Sequence, residues 1–447
     1  MKHIVLLCIT VLLTFPACYA AEVSLTVYNS DLAIVKILDS MNFTRGIQTL
    51  TFTDVAERID PTSVRFSVLN SDVKVIEQNY RYDLINSTKV LQRYIDRKVS
   101  LWVKDGNLIE GILQSVAGDV VLRSPNGGIN IIRNDAIERY ELPELPDGLI
   151  IRPTLFWKLN SSNEGKANTE VSYMTGGFFW HAEYTAVVSD DEKTMELSSW
   201  VSVENNSGAY FKNADLKLVA GDIHRVKTEE PAYKRQLMLA VPTGEESMAG
   251  FEERELFEYH LYDLGRKTDV NNAEIKQIAL FNPAQVKAVK RFVFDSRKNP
   301  GKVSVSMEFE NAEKDGLGIA LPAGKVRVYK RDTDRAIEFV GEDSIAHTPK
   351  NEKVRLSLGN AFDLVAERQV TDTRRISPTI REQTIEISLR NRKTEQVDIT
   401  SIEYLWSDWE VLKKSHDYVK KDAYTLEFTV TVPPDGETKI TYTVRLK

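Results

Sequence analysis

The sequence predicts an all-β protein, on three observations. Apolar and polar residues alternate with a period of two in Val23-Ser24-Leu25-Thr26-Val27, Val64-Arg65-Phe66-Ser67-Val68, Val303-Ser304-Val305-Ser306-Met307 and Ile385-Glu386-Ile387-Ser388-Leu389, the signature of half-buried strands. Long stretches of helical period are nearly absent. Turn signals are dense, among them Asp105-Gly106-Asn107, Asn126-Gly127-Gly128 and Pro433-Pro434-Asp435-Gly436.

The first 20 residues are of another kind. Lys2 and His3 precede an apolar run from Ile4 to Phe15, Pro16 breaks it, and Ala-like small positions precede a cut after Ala20. This is the pattern of a secretory signal peptide over 1–20, placing the protein in the periplasm or at the cell surface. A membrane anchor needs roughly 20 apolar residues and the run is shorter. A lipoprotein reading would lipidate Cys18, but Pro16 ahead of it fits that signal poorly. Cys8 and Cys18 are the only cysteines, so the exported chain carries no thiol. Loss of Lys2 takes the net charge from −7 to −8, and an acidic chain is a poor partner for nucleic acid, whose binding rests on neutralised phosphates. Two to four domains are expected of the remainder, at about 150 residues each.

The elements follow in order. Residues 21–90 form an N-terminal β domain, with a turn at Asp60-Pro61 and a short helix from Ser87 to Arg97 capped by Ser87. Residues 91–142 hold short strands at Val99–Val103, Leu108–Val116, Val120–Arg123 and Ile129–Arg133, separated by tight turns, and read as a small SH3-like or Sm-like barrel. Leu142 to Gly148, with two prolines, is a stiff connector. Residues 149–230 form a β-sandwich domain. Residues 231–275 are an acidic loop or hairpin extension, with Gly244-Glu245-Glu246 and Glu252-Glu253, in which Leu256–Tyr262 is apolar enough to return to a sheet. Residues 276–447 form a C-terminal β-sandwich region, in which Asn282 to Lys290 is a second helix candidate because Pro283 suits a first helical position.

Three strands run into an asparagine followed by a polar break: Val201 to Asn205, Met307 to Asn311 and Ile387 to Asn391. Asparagine tolerates turn conformations and bonds its own backbone. The recurrence fits repeated immunoglobulin-like sandwiches; coincidence among many hairpins explains it equally.

Leu25 to Ala33, Arg58 to Val64, Leu142 to Pro146, Thr175-Gly176-Gly177 with Trp180 and Tyr184, Leu218 to Asp222, and Leu321-Pro322-Ala323-Gly324-Lys325-Val326-Arg327-Val328-Tyr329 together resemble bacterial proteins carrying the domain of unknown function 4139. The resemblance implies a distant tie to mucoidy inhibitor A proteins. It implies no activity and no catalytic residue.

Chemistry-bearing motifs are scarce. The sequence has no phosphate-cradling Gly-Lys-Ser/Thr loop, no His-Glu-x-x-His, no Gly-x-Ser-x-Gly and no acidic calcium loop. Five histidines follow the leader, His181, His224, His260, His347 and His416, each isolated. In Trp180-His181-Ala182-Glu183-Tyr184, a strand puts His181 and Glu183 on one face. That pair could bind zinc with a third ligand, or be a polar outer face over an aromatic core. Lys325, Arg327 and Arg331 share a strand face that could touch an anionic glycan or lipid headgroup, or protect an edge. Asp372, Arg374 and Arg375 read as surface charge. Nothing calls for a metal or cofactor, and none is expected. An outer-membrane barrel is disfavoured, because outward faces such as Glu386-Ser388-Arg390 are charged. The expectation is an exported cell-envelope scaffold or binding module with an envelope protein or glycan as partner. The alternative is a periplasmic hydrolase of glycan or peptide using carboxylates and His181.

Overall fold

Period-two alternation turns most of the chain into strand. The computed structural model describes residues 21–82, 84–144, 146, 149–221, 223–224, 251–332, 336–406 and 408–447. The expected leader, its cleavage site and both cysteines lie outside them, as does the Gly244-Glu245-Glu246 part of the acidic interval. Among the described residues no helix is long and apolar enough to cross a membrane.

The N-terminal region contains β1 (Glu22–Tyr28), β2 (Leu32–Phe43), β3 (Gly46–Thr53), β4 (Arg65–Val68) and β5 (Val73–Arg81). Next come α1 (Ser87–Arg93), β6 (Lys98–Val103), β7 (Leu108–Ser115), β8 (Val120–Arg123), β9 (Ile129–Ile132) and β10 (Ile137–Glu141). Asn86, rather than Ser87, caps the helix, its side chain accepting the Lys89 amide at 2.9 Å. The five strands form an antiparallel sheet of order β10-β6-β7-β8-β9, curled around Leu91, Tyr94, Leu101, Leu113 and Leu122. The sheet does not close into the small SH3-like or Sm-like barrel that the sequence predicts: among the described residues no ladder joins β9 to β10. Gly111 permits the curl, since a Cβ there would lie 2.9 Å from the Arg123 carbonyl oxygen. This sheet interrupts a hairpin: β5 pairs with β11 (Thr154–Ser161), and the Ile85 amide bonds the Ile150 carbonyl at 2.9 Å where the chain leaves and returns. Tyr94 holds the exit, donating to the Glu144 carbonyl at 2.6 Å.

The chain continues through β12 (Gly165–Thr175), β13 (Phe178–Val188), β14 (Thr194–Asn205), β15 (Phe211–Ala220), β16 (Glu252–Leu256) and β17 (Tyr259–Val270). A sheet of order β16-β17-β15-β1-β2-β12-β4 covers one side of the first sandwich. Its core includes Leu25, Val35, Trp157, Tyr173, Trp180 and Leu218. The Leu256–Tyr262 segment is a turn followed by a strand: Phe257 sits at φ 58° and β17 starts at Tyr259, pairing with β15.

Two unusually long strands organise the remainder. They are β18 (Glu274–Asp295) and β22 (Lys353–Arg375), of 22 and 23 residues, each roughly 70 Å at about 3.3 Å per residue. Between them lie β19 (Lys302–Glu310), β20 (Gly324–Arg331) and β21 (Ile337–Ile345). After them come β23 (Arg381–Asn391), β24 (Val397–Tyr404), β25 (Trp409–Lys414), β26 (Val419–Lys420), β27 (Thr425–Val432) and β28 (Glu437–Leu446). β18 places Ile278 and Leu280 in the first core, Val286 and Ala288 in a middle core, and Phe292 and Phe294 in a third. β22 likewise gives Leu356 to the middle core and Leu364 to the third.

The helix anticipated at Asn282–Lys290 is therefore part of β18. Pro283 is accommodated because the β14–β18 register shifts there, from Leu197↔Ala284 to Ser199↔Phe281. A proline survives inside a sheet at such a bulge, where no ladder bond needs its missing amide.

The three strand-asparagine motifs are one structural device used three times. Asn205, Asn311 and Asn391 are all fully buried. Each Nδ2 donates to a carbonyl of its own loop, Ala209, Ile319 or Glu395, at 2.6–2.9 Å. It reaches two successive carbonyls of a distant turn as well: Val270 and Asn271, Thr348 and Pro349, or Val432 and Pro433. Each Oδ1 accepts a backbone amide, from Ser207, Gly318 or Lys393. The facing turns share a left-handed residue at one position: Ala273, Asn351 and Asp435. In each unit the outer strands pair (β14–β18, β19–β22, β23–β28) and so do the inner ones (β15–β17, β20–β21, β24–β27). The three sandwiches repeat one topology.

Candidate functional site

Alternation along β13 turns Trp180, Ala182 and Tyr184 inward, where each is at most 4% exposed, and leaves His181 and Glu183 outside. β20 runs parallel to β13 and sets Lys325 beside Glu183, while β21 sets Glu342 beside Arg327. Parallel approach is this close because position 324 is glycine: a Cβ there would lie 2.2 Å from the Ala182 carbonyl oxygen.

Four of the five residues singled out in the sequence thus share one sheet face. Glu183 Oε1 lies 3.8 Å from His181 Nε2 and 3.7 Å from Arg327 Nη2. Glu342 pairs with Arg327 at 3.9 Å and Lys325 at 3.6 Å. Gln277 donates to Glu183 Oε2 at 3.2 Å and to Ser202 Oγ at 3.1 Å. Arg331, at the far end of β20, takes no part. No local pattern points to Glu342, Gln277 or Ser202, which are brought to His181 and Glu183 by the pairing of other strands, β21, β18 and β14. Because the charges neutralise one another, this face is a closed polar network. No group of three potential metal ligands occurs among the described residues.

A pocket of about 270 Å³ opens where β18 and β22 pass from the middle core to the third. Phe292, Val305, Met307 and Leu358 form its apolar wall, and Phe362, 97% exposed, stands at its lip. Its rim carries Glu192, Lys290, Lys330 and Lys393. Glu192, at φ 57° in the β13–β14 turn, pairs with both Lys290 and Lys330. Burial pushes its carboxyl up, but the two ammonium groups outweigh burial and hold it below the usual glutamate range. Among the described residues, the Lys393 ammonium sits over the Phe292 ring, 5.4 Å from its centroid, without a carboxylate partner. The arrangement suits a ligand with an apolar body and an anionic end.

A third cluster is structural. Glu403, its side chain 1% exposed, accepts the Tyr442 hydroxyl and sits 2.9 Å from Arg368 Nε. Burial raises its carboxyl above the ordinary range despite the opposing effect of Arg368.

No curated protein matches the chain. A family model, domain of unknown function (DUF4139), matches residues 169–447, a narrower span than the resemblance in the sequence. The matched region contains all three asparagine clamps, the polar face of β13 and β20, and the junction pocket, and the chain belongs to the DUF4139 family.

Proposed function

We propose that this is an exported cell-envelope protein that acts by binding, as a scaffold or interaction module. The junction pocket carries the reading: Phe292 and Leu358 of its apolar wall sit on the two strands that continue through neighbouring cores, and β19 adds Val305 and Met307. The rim lysines come from β18, β20 and the turn after β23, making a concave site of the kind that takes ligands. The polar face offers less to a hydrolase. Ser202, opposite His181 in register, has its hydroxyl engaged by Gln277, and His181 approaches Glu183 only to 3.8 Å.

The test has two parts. Fractionation of the native host should recover the protein outside the cytoplasm with Ala21 as its first residue; an intact leader in the cytoplasm would overturn export. In a deletion strain, Val305→Trp with Lys393→Glu, which fills and recharges the pocket, should abolish complementation, while His181→Gln with Glu183→Gln should leave it intact. The reverse result would favour the hydrolase.

A further inference from the structure

The hairpin from β22 to β23 ends in Thr373-Arg374-Arg375-Ile376-Ser377-Pro378-Thr379-Ile380-Arg381, three arginines between Asp372 and Glu382, in a chain of net charge −7. The register sets Arg375 directly opposite Arg381. Like charges facing each other across a strand pair destabilise it. Elsewhere in this sandwich the arginines have an acid or aromatic rings at hand: Arg368 with Glu403, Arg390 with Glu367, Arg392 with Asp435, Arg445 with Glu382, and Arg297 over Tyr404 and Trp406. Glu382, opposite Arg374, is taken by Arg445 at 2.6 Å. Arg375 makes only a 3.3 Å bond to the Ser377 carbonyl. Arg374, Arg375 and Arg381 have no ion pair among the described residues.

Arg375, Arg381 and Lys447 line a pocket of about 440 Å³ together with Ser377, Thr379 and Ile380. Arg375, Arg381 and Lys447 supply cationic donors, and Ser377 and Thr379 hydroxyls, of the kinds that bind a phosphate oxyanion. A local conflict that the fold leaves unrelieved marks a place where something from outside relieves it. The loop also presents apolar groups outward: Ile376 is 46% exposed and Pro378 is exposed. Arginines flanking short apolar side chains suit a surface of anionic headgroups over hydrocarbon.

We propose that this hairpin end is a phosphate-binding site that docks the protein on anionic phospholipid. It is separate from the junction pocket and stands whether or not that pocket binds a ligand. The protein should sediment with phosphatidylglycerol vesicles and not with phosphatidylcholine vesicles, and binding should weaken as salt rises. Arg375→Gln with Arg381→Gln should weaken vesicle binding about 30-fold, at roughly fivefold per arginine near an anionic surface. The same variant should melt at the wild-type temperature or above it, because a repulsion has been removed. Ile376→Ser should weaken vesicle binding while leaving intact the rise in melting temperature that inorganic phosphate gives the wild type. A phosphate-induced rise without vesicle binding would overturn the membrane as the source of the phosphate. Equal vesicle binding by wild type and double variant, or no response of the wild type to either probe, would overturn the site itself.

Discussion

Asn391 is held by four hydrogen bonds: three donated, to Glu395, Val432 and Pro433, and one accepted from the Lys393 amide. Its replacement by alanine strands buried carbonyls, so Asn391→Ala should lose about 4 kcal/mol in urea unfolding, at roughly 1 kcal/mol per bond. Asn391→Asp should be no milder, because it points a carboxylate at three carbonyl oxygens. A loss below about 1 kcal/mol would mean that water replaces the clamp. Glu403 gives a pH signature instead. Its folded-state pKa is raised above 4.5, by burial before all else, so the folded state holds the proton more tightly than the unfolded chain does. Stability from this group is complete below the ordinary glutamate pKa and is lost as pH rises through the raised value. Relative to Glu403→Gln, the wild type should therefore lose unfolding free energy across that window and then level off. A flat difference between the two proteins would contradict the raised pKa.

At the scale of elements, the five-stranded sheet β6–β10 is expected to be separable. Its strands pair only with each other and its core is distinct from the other three. The ends of the insertion are hydrogen-bonded neighbours at Ile85 and Ile150, so excision costs no long closure. Removing residues 87–148 and joining the ends with a short glycine-containing turn should leave β-type circular dichroism and a cooperative melt. Collapse of the whole protein would show that the sheet supports the hairpin it interrupts. Pro283 teaches a related lesson. Its fixed φ is as welcome in a first helical turn as in a bulged strand, and the choice is made by β14, whose register supplies the bulge.

For the whole molecule, sharing of strands has an energetic consequence. β18 contributes side chains to three cores and β22 to two, so one core cannot unravel without disturbing the ladder of the next. Phe428→Ala, at a fully buried position of the third core, should cost about 3–5 kcal/mol. It should also reduce hydrogen-exchange protection in β14 and β19, not only in β27. Loss confined to β24, β27 and β28 would show that the sandwiches open independently.

The sequence by itself determined most of the strands and turns and which face of those strands is apolar, because alternation is a local property of residues two apart; Asn282–Lys290, read as a helix, is the exception. It also put Asn205, Asn311 and Asn391 in one pattern and named two separate candidate sets, His181 with Glu183 and Lys325 with Arg327 and Arg331. Only the tertiary structure decided that β13 and β20 run parallel, that the asparagines clamp turns 37 to 66 residues away, that Glu183 is already neutralised, and that Arg375 faces Arg381. Pairing and register depend on which distant strand closes the ladder, and a one-residue slip would exchange every inward side chain for an outward one. That partner lies outside any local window of the sequence, so the sites built across strands become legible only when the sheets are assembled.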